Sequence, residues 1–102
     1  MMRPMPKLPP DAATPAYVLD VARLLENMQT AQRIKRESGA KMLLATKAFA
    51  MPAAFQFMRD HLDGTTASGE YEARLGRAEF GKEVHVYAPA YGPGEVDRLC
   101  EI

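Results

Sequence analysis

Apolar and polar positions along this chain switch repeatedly between two periods. Residues 14–20, TPAYVLD, alternate and carry aromatic and β-branched side chains, which predicts a short strand. From Asp20, placed as an N-cap, Val21, Leu24, Leu25, Met28 and Ala31 recur at helical spacing among Arg, Glu, Asn and Gln, and Gly39 stands where a helix ends. KMLLATKAF then reads as a nearly continuous apolar strand. Pro52 opens PAAFQFMRDHL, whose Phe55, Met58 and Leu62 share a helical face. DGTTAS predicts a third strand, with Ser68 as N-cap of GEYEARLGRAEF and Gly81 as its end. KEVHVYAPA alternates as a fourth strand, with Val84, Val86 and Ala88 on one face and His85 and Tyr87 on the other. GPGEVDRLCEI begins a fourth helix.

Strand and helix thus alternate four times, the signature of parallel strands joined by right-handed helical crossovers. The predicted class is α/β, as a sheet or as about four βα units of a (β/α)8 barrel. A whole barrel takes about 250 residues, and this chain has 102.

Composition narrows the function. Thirteen basic and thirteen acidic residues cancel, so no positive field gathers a nucleic-acid backbone. Lys47 and Pro52 break the longest apolar stretches, short of the roughly 18 to 20 residues of a membrane helix. MMRPMPKLPPD has four prolines and lacks the apolar centre of a signal peptide, so residues 1–13 read as an extended lead-in. The single Cys100 excludes an intrachain disulfide and suits a reducing cytoplasm.

Several groups have bland readings. Arg33, Lys35 and Arg36 suit a helix C-terminus electrostatically, Glu70, Glu72 and Glu79 suit a solvated helix face, and Arg74 lies four residues from Glu70. His61 and His85 lie on different elements without a second ligand at metal spacing, so no metal site is expected. GPG at 92–94 reads as a turn or as a small phosphate-binding loop.

Lys47 is different. It stands in MLLATKAFAM, at the end of a strand, and by period two it points with Leu43 and Ala45, away from Met42, Leu44 and Thr46. In one reading the side chain carries its ammonium out to water over an apolar stem. In the other, an apolar pocket lowers its pKa and frees the amine to form a Schiff base with a carbonyl, such as that of pyridoxal phosphate.

The blocks TPAYVLD, LLATKAFAM, DGTTAS, EARLGRAEFG and EVHVYAPAY, in this order and spacing, resemble the N-terminal part of the carboxynorspermidine/carboxyspermidine decarboxylase family, across residues 14–91. That family is of the alanine racemase and ornithine decarboxylase type, pyridoxal phosphate enzymes with a (β/α)8 barrel and a β-rich second domain. The resemblance implies that residues 14–102 are part of the cofactor-binding barrel, that Lys47 holds pyridoxal 5'-phosphate, and that Thr65, Thr66 and Ser68 approach it. It implies decarboxylation of a small carboxylated polyamine, carboxynorspermidine or carboxyspermidine, by a cytoplasmic enzyme that is a homodimer at full length. The family's ring-stacking, phosphate-binding and pyridine-pairing groups come from later strands or the second domain, so the 102 residues alone are expected to be inactive. Two other readings stay open: a non-catalytic half-barrel for binding or assembly, and a racemase or cofactor carrier of the same fold.

Overall fold

The computed structural model describes residues 3–102. Helix α1, Val21–Ser38, starts on Asp20, whose carboxylate accepts the Arg23 N–H at 3.1 Å. It ends at Gly39, where φ is 72° and the N–H reaches the Lys35 carbonyl. Strand β1, Leu43–Ala45, leads to α2, Pro52–Met58, with proline in the first turn where a missing N–H costs nothing. Strand β2, Gly64–Ala67, leads to α3, Glu70–Leu75, which widens into a π turn over Gly76–Phe80 and closes on Gly81 at φ 80°. Strand β3, Glu83–Val86, is followed by α4, Glu95–Cys100.

The sheet has the order β1-β2-β3 and is parallel throughout. Leu44 lies beside Thr65 and Thr65 beside Val84, so these three side chains share a face. That face is covered by helices: Leu44 packs on a core of Met28, Ala31, Ala54, Phe55, Met58, Leu62 and Phe80. The Phe55 and Phe80 rings meet edge to face at 5.3 Å. Gly76 is required by this packing, because a Cβ there would stand 2.2 Å from the Thr65 hydroxyl. The opposite face, carrying Leu43, Ala45, Thr66 and His85, has no helical layer among the described residues, which extend 22 Å in their thinnest direction against 49 and 39 Å in the others.

Ion pairs brace the sheet at the N-terminal ends of its strands. Asp63 exchanges hydrogen bonds with Met42, accepting its N–H at 2.8 Å and donating its own at 2.9 Å, and its carboxylate pairs with Lys35 at 3.1 Å. The Met42 N–H and then the Lys35 ammonium hold the Asp63 carboxyl below the usual carboxylate range. Lys35 therefore has a specific partner beyond the helix dipole. Lys41 and His85 likewise depress the Glu83 carboxyl.

Three expectations are corrected. Residues 14–20 form no strand, and Tyr17 is 96% exposed. Alternation marks two faces, but a strand also needs a neighbour for its N–H and C=O groups, and among the described residues this segment has none. Among the described residues the sheet accordingly has three strands rather than four. The apolar run 41–49 is strand only through Ala45; Thr46–Ala48 is a turn, with the N–H groups of Ala48 and Phe49 both directed to the Ala45 carbonyl. Ser68 is not the N-cap of α3. Gly69 is, and the Ser68 N–H instead donates to Glu72.

Candidate functional site

A parallel sheet brings the C-terminal ends of all its strands to one edge, where chain direction changes and side chains become free to meet a ligand. Here the last ladder bonds run from Thr46 N–H to the Thr66 carbonyl at 3.2 Å and from Tyr87 N–H to the Ala67 carbonyl at 3.0 Å. Beyond them Lys47, Ser68 and Tyr87 leave the sheet side by side. Together with Ala45, Thr66 and Ala67 they line a cleft of about 70 Å³.

Lys47 is exposed at the tip of the turn after β1. Of the two readings of Lys47, an ammonium carried out to water matches this position: the turn ends the strand before the lysine, and among the described residues no layer covers the open face above it. Thr66 and Ser68 share the cleft with it. Thr65 does not. It is fully buried on the helix-covered face against Gly76, and its hydroxyl has no hydrogen-bond partner. Adjacent residues of a strand point to opposite faces, and within β2 this puts the Thr65 side chain on the covered side and that of Thr66 on the open one.

Two participants escaped the sequence reading. Tyr87 is 76% exposed at the end of β3 and lines the cleft; its alternation with His85 placed it on the correct face, but nothing in its spacing placed it beside Lys47. Glu72, read as a solvated residue, is half-buried and binds the ends of β1 and β2, accepting the Thr46 hydroxyl at 3.3 Å and the Ser68 N–H at 2.6 Å. The other helix charges behave as anticipated: Glu70 pairs with Arg74 at 2.9 Å, and also with Arg98 of α4 at 2.9 Å. In GPG the Gly92 N–H is taken by the chain's own Glu95 carboxylate, as in a self-contained turn. Among the described residues no three His, Cys, Asp or Glu side chains cluster as metal ligands, and no helix is long and apolar enough to cross a membrane.

The chain is 42% identical over 87 residues to the carboxynorspermidine/carboxyspermidine decarboxylase of Herminiimonas arsenicoxydans, covering 85% of this chain and 24% of that protein. The chain is similar to the carboxynorspermidine decarboxylases. The resemblance carried by LLATKAFAM and its neighbouring blocks is thereby borne out. The carboxyaminopropylagmatine decarboxylase of Synechocystis is 41% identical over 89 residues, 87% of this chain and 23% of that protein. The crystal structure of carboxynorspermidine decarboxylase from Campylobacter jejuni, complexed with norspermidine, superposes with a TM-score of 0.84 at 36% identity, over 88% of this chain and 24% of that one. No family model matches the chain. The chain spans about a quarter of the length of the curated decarboxylases it matches. Its βα order and parallel sheet are thus those of a segment of a carboxynorspermidine decarboxylase fold.

Proposed function

We propose that this chain forms part of a pyridoxal phosphate-dependent decarboxylase that acts on a carboxylated polyamine in polyamine synthesis, with Lys47 as the residue that holds the cofactor. The observation that carries the reading is the position of Lys47. Its amine leaves the C-terminal end of a strand, on the uncovered face of a sheet similar to that of a carboxynorspermidine decarboxylase.

The residues present fit such a cofactor in part. An exposed lysine is within reach of an aldehyde, and covering of the open face by the rest of the barrel would supply the desolvation that activates its amine. Ala45 and Ala67 are small and leave space over the strand ends, Thr66 and Ser68 offer hydroxyl donors, and Tyr87 supplies a wall. Lys47 would be the residue that holds pyridoxal phosphate there, and the bound group would supply an electron sink for the pair left on the α-carbon when carboxylate departs as CO₂. The open sheet face is to be covered by further strands of a (β/α)8 barrel, which also exclude water and bring the phosphate- and carboxylate-binding groups. The 102 residues alone are accordingly expected to be inactive, and the complete enzyme is expected to be a cytoplasmic homodimer.

The names of the two curated relatives differ at one end of the chain, a polyamine amine in one and an agmatine group in the other, and their identities to this chain are nearly equal. Both names carry a carboxyl group, the group that a decarboxylase removes. Measuring kcat/KM for carboxynorspermidine, carboxyspermidine and carboxyaminopropylagmatine ranks them.

Borohydride reduction of the cofactor-loaded, full-length protein, followed by peptide mapping, tests the central assignment. The label is expected on Lys47, and Lys47→Ala is expected to abolish both the imine absorbance band and decarboxylation. A label on a different lysine, or a band that survives the substitution, overturns it.

A further inference from the structure

We infer that Glu72 is a positioning residue for Lys47, clamping the ends of β1 and β2 on the side of the sheet away from the cleft; this rests on the decarboxylase reading above. The Thr46–Ala48 turn carries Lys47 outside the ladder of regular strand bonds, so something must fix the direction in which its side chain departs. Thr46, the residue before it, is 4% exposed and projects to the helix side. Its hydroxyl lies 3.3 Å from both Glu72 Oε1 and the Thr66 carbonyl. The second carboxylate oxygen of Glu72 accepts the Ser68 N–H at 2.6 Å. One side chain therefore holds the residue preceding Lys47 and the backbone of a cleft residue on the neighbouring strand.

Chemistry and sequence favour this use of a carboxylate. Its two oxygens accept two donors at once, and hydrogen bonds to an ionised acceptor are roughly twice as strong as neutral ones. It stands in the first turn of α3, where the helix terminus favours negative charge. Gly69, the N-cap, has no side chain to satisfy that turn, yet Glu72 directs its carboxylate out to the strand ends. A displacement of about 1 Å at a reacting group lowers rate by about 100-fold, so a clamp one residue from Lys47 acts on turnover more than on substrate affinity.

The test uses the full-length protein loaded with pyridoxal phosphate, with Glu72→Gln, Thr46→Val, the double variant and Thr46→Ser. Glu72→Gln and Thr46→Val are each expected to lower kcat about tenfold with KM within about twofold, the double variant to be no worse than the weaker single one, and Thr46→Ser to restore kcat. Exchange of the Ser68 amide, followed by NMR, is expected to speed up in Glu72→Gln. Thr46→Val keeps the shape of the side chain and carries the test should Glu72→Gln fail to fold. A kcat within twofold of the parent in both single variants, losses that multiply in the double, or an effect confined to KM overturns the clamp. Borohydride labelling separates the two claims: a label on Lys47 with unchanged kcat in the variants overturns the clamp alone, whereas a label on another lysine overturns the assignment of Lys47 and the clamp with it.

Discussion

The two faces of the sheet are built from neighbouring residues of the same strands and have opposite characters. On one, Leu44, Thr65 and Val84 lie under helices, with Phe55 and Phe80 almost wholly inaccessible to water. On the other, Leu43, Ala45, Thr66 and His85 are half-buried or exposed, and Lys47, Ser68 and Tyr87 project beyond the strand ends. Parallel sheets are ordinarily covered on both faces. Stability in this chain is therefore concentrated on one side and candidate chemistry on the other, so a substitution at one strand position can disturb folding while its neighbour disturbs function.

The strongest challenge to this division is Phe55→Ala. It empties the centre of the covered face and is expected to cost about 3–5 kcal/mol, read as a lowered denaturant midpoint; a loss under about 1 kcal/mol would mean that the core lies elsewhere. Gly76→Ala comes next. The new methyl meets the Thr65 hydroxyl, and overpacking of this kind costs about 1–3 kcal/mol. Thr65→Ala in the same chain should recover most of that loss, and purely additive destabilisation would show that the two positions do not touch.

A smaller and sharper comparison sets Thr65→Val against Thr66→Val. The first removes a buried hydroxyl that has no partner and is expected to stabilise by about 1 kcal/mol, with cofactor affinity of the full-length protein unchanged. The second is expected to leave stability within about 0.5 kcal/mol and to weaken cofactor binding severalfold, measured by titrating the imine band. Reversal of the two outcomes would exchange the roles assigned to the faces.

The smallest effect is that of acid. The carboxyls of Asp63 and Glu83 are held below their ordinary values by Met42 N–H, Lys35, Lys41 and His85. Folding therefore binds these carboxylates in their ionised form, and their stabilisation is complete above the unfolded pKa, about 4. It declines as pH falls through the lower folded values. Midpoints of denaturation should fall below about pH 4, and Asp63→Asn should flatten the portion due to Asp63. An unchanged pH profile in that variant would show that the Met42–Asp63–Lys35 brace contributes nothing.

Much of this was legible in order along the chain. The helix bounded by Asp20 and Gly39, the Pro52 start of α2 and the Gly81 end of the third helix all rest on local chemistry: a carboxylate accepting an orphan N–H, a ring that fixes φ, a residue free to adopt positive φ. The face shared by Val84 and Val86 followed from period two. The loss of a strand at 14–20 did not follow, since a pairing partner is not a local property. Nor did the exclusion of Thr65 from the site, because TTAS reads as four small residues until the register against Leu44 and Val84 sorts them into faces.

Residues close together in the chain set the alternation of elements and the presence of a lysine at a strand end, and five blocks in order across residues 14–91 carry the decarboxylase resemblance. Only the tertiary structure decided that Lys47 stands exposed, that Thr66, Ser68 and Tyr87 join it while Thr65 turns away, and that Glu72 ties Thr46 to Ser68. These are matters of distance between segments some 20 to 40 residues apart, and such distances are fixed by which side of each strand the helices cover.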